Sequence, residues 1–161
     1  LVYPYPLEDS LVAIIRPAIG LAPAADHSTL AQELAAGRRF AGEFDAVRLR
    51  YRSHFESLRQ AGQRIAVFGA GHLAAKFLNL FGLKDSVDCV IDDDPHKQGL
   101  TMPGSGLPIV NSSRLPEIDL CVLSLSPESE QKVVAKHPTY LHGGGRFASI
   151  FALSPLALKL A

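Results

Sequence analysis

The residues with the clearest chemical promise lie between positions 69 and 92. Gly69-Ala70-Gly71-His72-Leu73-Ala74 follows a short apolar run, 64–68, and opens a stretch with helical spacing, 72–83. In such a turn the first glycine makes the bend, and the second lets a ligand approach the backbone. A small third residue, here Ala74, lets the helix close on the strand. The helix N-terminus then offers amide donors and a favourable dipole to a phosphate. Asp92 stands 21 residues beyond Gly71, at the end of a second apolar run, 87–91. A carboxylate there can accept from ribose hydroxyls. His72 sits at the helix N-terminus, where it either donates to a phosphate or faces solvent. The same glycines would also tighten the turn of a domain that binds nothing, so the turn alone leaves binding open.

Other chemistries find less support. A turn for S-adenosylmethionine usually carries an acid two residues before its first glycine and a third close glycine, whereas the residues here are Val67-Phe68-Gly69-Ala70-Gly71-His72. The histidines at 27, 54, 72, 96, 137 and 142 show no spacing suited to a metal. Ser105 lies between two glycines, but no strand-to-helix elbow surrounds it, so it does not read as a nucleophile. Asp92-Asp93-Asp94 precedes Pro95 at a strand end, a place for ligand-capping or turn-forming acids more than for a catalytic pair. No combination of residues looks self-sufficient for catalysis.

The elements that must position these groups follow from periodicity and punctuation. The run 64–68, the glycine turn, the helix and the run 87–91 make one βαβ unit, whose right-handed crossover makes the two strands parallel. A short strand over 107–110 leads to Asn111-Ser112-Ser113, which caps a one-turn helix ending before Pro116. A third buried strand spans 119–126, then Ser126-Pro127-Glu128 opens a helix to about residue 136. Gly143-Gly144-Gly145 turns into a last strand, 146–151. Before this unit, a short helix over 30–36 is expected to stop at Gly37. A longer one follows, with Phe40, Phe44, Val47, Tyr51, Phe55 and Leu58 on one face and arginines on the others, read as a solvated surface. Residues 1–26 carry four prolines around one apolar run, 11–15, which is expected to be an edge strand whose sheet partner lies elsewhere. The expected architecture is α/β: a Rossmann-like, mainly parallel sheet of four or five strands over 63–161, a helical lead-in over 27–62, and an extended segment over 1–26.

Bulk properties bound the reading. The chain has 161 residues, enough for one domain with a real core. Its 16 basic and 16 acidic residues cancel, which disfavours sequence-independent nucleic-acid binding. No apolar run approaches the ~20 residues that span a bilayer, so no membrane partner is expected. Cys89 and Cys121 both sit inside apolar runs and read as small hydrophobes of a reducing, cytoplasmic compartment. The chain starts at Leu1 with no charged-then-apolar leader, which reads as a piece of a longer polypeptide.

Taken together, several motifs resemble the C-terminal domain of the sugar C-methyltransferases, enzymes that methylate a deoxysugar carried on a nucleotide diphosphate. The likeness rests on Phe40-Ala41 and on the run from Leu58 to Ala70. It continues with Asp92-Asp93-Asp94-Pro95-His96-Lys97-Gln98-Gly99, with Pro103-Gly104-Ser105-Gly106-Leu107-Pro108-Ile109, and with Gly144-Gly145-Arg146-Phe147. The resemblance implies that S-adenosylmethionine and the methyl-transfer groups belong to an upstream methyltransferase domain of the same polypeptide, with no cofactor bound by this chain. It also implies a nucleotide diphosphate-sugar as this chain's ligand. Gly69, Ala70, Gly71 and His72 would cradle the diphosphate, Asp92 would take the ribose, and Lys97, Gly104 and Ser105 would close over it from the 97–109 loop. Two other readings stay open: an NAD-binding oxidoreductase or regulatory module, with nicotinamide near Ser124-Leu125-Ser126, and a scaffold that binds nothing.

Overall fold

The computed structural model describes Val2–Pro4, Leu11–Ala13 and residues 27–160. The chain divides into two compact units, 1–39 and 40–161. In the first, strand β1 (Val2–Pro4) pairs antiparallel with β2 (Leu11–Ala13), Tyr3 opposite Val12. The apolar run at 11–15 therefore has a strand partner within the chain, contrary to expectation. Its last two residues, and Pro6, Pro17 and Pro23, lie outside the described residues.

Helix α1 is continuous over His27–Gln60, passing through Gly37, where a stop was expected, and Gly42. A mid-helix glycine costs about 1 kcal/mol relative to alanine, too little to break a run flanked by Ala, Leu, Glu and Arg. The true stop is Gly62, in the left-handed region at φ 79°, where the Gly62 amide donates to Arg59 O and the Gln63 amide to Leu58 O.

The second unit holds a five-stranded sheet. Its strands are β3 (Ile65–Phe68), β4 (Cys89–Ile91), β5 (Ile109–Val110), β6 (Leu120–Leu123) and β7 (Arg146–Ser149). They lie in the order β5-β4-β3-β6-β7, every pair parallel. This is the expected Rossmann-like α/β fold, and the chain order reverses between β3 and β6. β3, β4 and β6 are buried along their whole length, which explains their near-continuous apolar sequences.

Alternate residues feed two cores. Ile65, Val67, Val90, Leu120 and Val122 pack with Phe55 of α1 and with Ala74, Phe77 and Leu78 of α2 (His72–Phe81). Ala66, Phe68, Ile91, Cys121 and Leu123 face the other way. There they pack with Leu115 of a 3-10 helix (Ser112–Glu117), with Val133 and Val134 of α3 (Pro127–Lys136), and with Tyr140 of α4 (Pro138–His142). The short α4 was not anticipated. The 3-10 helix, capped as expected by Asn111 accepting the Ser113 amide, is longer than expected and contains Pro116 instead of ending before it.

An aromatic ladder docks α1 on α2: Tyr51 stacks on Phe81 at 4.3 Å between ring centroids and meets Phe77 edge-on at 5.6 Å. Phe44 stacks on Phe81 at 6.2 Å. Phe40, placed on the same face by its spacing, is 72% exposed, because α2 ends at Phe81 and leaves it nothing to cover. The arginines are not merely solvated. Arg59 holds both oxygens of Asp88 at 3.0 Å, and Asp88 in turn accepts the Ile65 amide, so the end of α1 is tied to the start of β3. Among the described residues no helix is long and apolar enough to cross a membrane, and no group of three His, Cys, Asp or Glu is placed to hold a metal.

Candidate functional site

The glycine turn leaves β3 at the reversal of strand order, where open parallel sheets present a crevice. Its two glycines do different work. Gly69 is left-handed at φ 100°, and a Cβ there would lie 2.5 Å from Leu125 Cδ2, so the fold itself demands glycine. Its amide continues the sheet by donating to Ile91 O at 2.7 Å. Gly71 caps α2 in extended backbone, φ −119° and ψ −173°, which any residue adopts. A Cβ at Gly71 would meet nothing within 4 Å. No side chain caps α2, so the first-turn amides at His72, Leu73 and Ala74 lack a side-chain acceptor. His72 itself is exposed, while Ala74 is fully buried against the sheet, as its small size allows.

The three consecutive aspartates have three separate tasks. Asp92 turns inward: its Oδ2 accepts the Ala70 amide at 2.7 Å and Lys97 Nζ at 2.9 Å, and its Oδ1 accepts the Asp94 amide at 2.9 Å. Asp93 reaches the other face, accepting from Lys136 Nζ at 2.5 Å and from the Ser112 amide at 3.2 Å. Asp94 shapes the following turn by accepting the His96 amide at 3.0 Å. Burial alone would raise the pKa of Asp92 and of Asp93. The hydrogen bonds outweigh it, from the Asp94 amide, Lys97 and the Ala70 amide on Asp92, and from Lys136 and Ser112 on Asp93. Both carboxyls are held below the ordinary aspartate value and are ionised at neutral pH.

Gly69, Ala70, Gly71, His72, Asp92 and Lys97 are thus gathered at one place. Gly104 and Ser105 are not. Asn79 donates to Pro103 O at 3.0 Å, and a Cβ on Gly104 would lie 2.4 Å from the same amide group. Asn79 is seven residues along α2 from His72, roughly 10 Å at 1.5 Å per residue. The loop is also closed on itself: Thr101 bridges Pro108, the Met102 amide donates to Leu107 O, and Met102 is buried in the core.

Two groups that carry no motif also build the site. Ser124 Oγ, buried after β6, lies 2.8 Å from Phe68 O and 2.9 Å from Gly69 O, pinning the turn from the β6 side. Glu130 on α3 is only 3% exposed and accepts from the hydroxyls of Ser149 and Ser154, the latter at 2.7 Å. With Glu130 tied to the end of β7 and Lys136 to Asp93, two residues past β4, α3 is anchored on both sides of the strand-order reversal. A glutamate in a first helical turn normally reads as a dipole-favoured surface acid, so sequence alone gave no sign of its burial. A hollow of about 190 Å³ lined by Pro116, Ile118, Asp119, Tyr140 and the 143–145 turn lies at the opposite, N-terminal edge of β6 and β7, away from this chemistry.

Several solved structures are similar in part. UDP-D-quinovosamine 4-dehydrogenase from Vibrio fischeri superposes with a TM-score of 0.45 and 20% identity, over 56% of this chain and 80% of that one. RSP, a Rex-family repressor, gives 0.44 and 16%, over 62% of this chain and 48% of its own. RSP in complex with beta-NADH gives 0.44 and 16%, over 65% and 53%, so this chain spans about half the repressor's length. No curated protein sequence matches the chain. Residues 15–152 match the C-methyltransferase C-terminal domain family, and the chain belongs to that family.

Proposed function

We propose that this domain binds the nucleotide diphosphate-sugar substrate of an S-adenosylmethionine-dependent sugar C-methyltransferase, with methyl transfer carried by an upstream domain of the same polypeptide. The observation that carries the reading is Gly71. Neither its backbone conformation nor its surroundings require glycine, yet a side chain there would stand beside the uncapped first turn of α2. Absence of a side chain therefore serves a group from outside the chain, and free amides with the helix dipole suit a diphosphate. Asp92 supplies an ionised acceptor for a ribose one strand away, and Lys97 adds a cation beside the same turn.

S-adenosylmethionine does not fit this turn. The position two before Gly69 is Val67, fully buried in the core, where an acid for the cofactor's ammonium would be needed.

Amide chemical-shift mapping tests the assignment. Adding a thymidine diphosphate-sugar is expected to move the amides of Gly71, His72, Leu73 and Ala74, and to leave those of Gly104 and Ser105 in place. Shifts centred on the 103–106 loop, with α2 unmoved, would put the ligand elsewhere.

A further inference from the structure

The carboxylate expected to receive a ribose is already engaged. Asp92 Oδ2 takes both the Ala70 amide and the Lys97 ammonium, and Oδ1 takes the Asp94 amide. The two backbone donors are fixed by the turn geometry. The ammonium is not: the Lys97 side chain is 40% exposed while that of Asp92 is 13% exposed, so the lysine head forms the solvent-side cover of the carboxylate. The base of that lysine is held in place, since the Lys97 amide donates to Asp94 O at 3.0 Å and Gln98 Nε2 donates to Asp92 O at 3.2 Å. Only the flexible four-carbon stem has to move for the ammonium to leave Asp92. Because Lys97 Nζ and the Ala70 amide share one acceptor oxygen, the ammonium starts beside the glycine turn, within a side-chain swing of a phosphate seated on α2.

We infer that Lys97 is an internal counter-ion that couples the phosphate and ribose subsites. This rests on reading the glycine turn as a nucleotide diphosphate site, and adds how that site selects its ligand. A diphosphate draws the ammonium off Asp92 and keeps it charge-paired, and the released Oδ2 accepts a hydroxyl of the nucleotide's pentose, the 3′ hydroxyl in a thymidine nucleotide. A nucleoside without phosphates has to displace the ammonium with nothing to receive it. The pair therefore selects ligands that carry both groups and rejects nucleosides.

The test compares thymidine and thymidine diphosphate on the wild-type chain, Lys97→Met, Asp92→Asn and the double variant, with circular dichroism confirming the fold of each. Lys97→Met is expected to tighten thymidine binding by about tenfold, the effect of one freed charge-assisted hydrogen bond, and to weaken thymidine diphosphate by about as much. In the Asp92→Asn background the gain for thymidine should vanish, because the acceptor it depends on is gone. If thymidine diphosphate binds the wild type but thymidine affinity is unchanged or weaker in Lys97→Met, the counter-ion role is overturned and the diphosphate site stands. A thymidine gain that persists in the double variant also overturns it. If the wild type binds neither compound, the nucleotide reading falls, and this inference with it.

Discussion

The Ala70 amide donates to Asp92 Oδ2 at 2.7 Å across 22 residues of sequence, joining the glycine turn after β3 to the end of β4. The glycine turn and the acid at the end of β4 are therefore one hydrogen-bonded unit, not two features that happen to be near each other. Ser124 closes the same turn from the β6 side, so the turn is braced from both neighbouring strands.

That bond makes stability depend on acid pH. Burial opposes the charge on Asp92, but donors from Asp94, Lys97 and Ala70 prevail and depress its folded pKa. A depressed carboxyl stabilises the fold above its unfolded pKa of about 3.9, and this stability is lost as pH falls through the lower folded value. Urea midpoints should hold between pH 7 and 5 and drop below about pH 4. Asp92→Asn should start lower and lose less over the acid range. Equal acid losses in the two proteins would show that Asp92 is not the titrating group.

The two glycines should separate stability from binding. Gly69→Ala puts a methyl group into Leu125 at a left-handed position, a loss of about 1–3 kcal/mol. Gly71→Val meets open space in extended backbone, and the small entropic gain of losing a glycine is set against valine's poor fit to an N-cap, so its stability should stay within about 1 kcal/mol of wild type. Thermal melts of the two variants decide this, and a large destabilisation by Gly71→Val would mean that the fold, not a ligand, requires the glycine.

Glu130 holds the chain beyond β7. Ser149 and Ser154 donate to it, while their oxygens accept the Phe151 and Leu156 amides, and residues 149 and 157 are bridged. Glu130→Ala should cost about 1–3 kcal/mol, the penalty for stranding buried polar groups. Hydrogen exchange should quicken over 150–158 while Ile65–Phe68 keeps its protection. Uniform quickening across both would assign Glu130 to global stability alone.

The three central strands, β3, β4 and β6, were legible because they are buried along their whole length and read as short apolar runs bounded by glycine, aspartate or serine. The glycine turn, Asp92 and the helix after it were placed correctly for the same reason: local spacing determines them. What escaped was set by contacts distant in sequence. Gly37 reads as a stop but lies inside α1, since propensity on both sides outweighs one glycine. Gly104 and Ser105 carry a motif that looks ligand-facing, yet Asn79 and the burial of Met102 hold that loop alongside the later turns of α2. The Lys97–Asp92 pair and the buried Glu130 depend on how α3 and the 94–97 turn lie against the sheet, which no periodicity reports.

The most direct measurement is a calorimetric titration of the wild-type chain and Gly71→Val with a thymidine diphosphate-sugar and, in parallel, NAD. The account predicts saturable binding of the nucleotide-sugar to wild type, weaker binding of NAD, and loss of nucleotide-sugar binding in a Gly71→Val variant that melts like the parent. Tighter binding of NAD than of the nucleotide-sugar, or affinity indifferent to the Gly71 substitution, would contradict it.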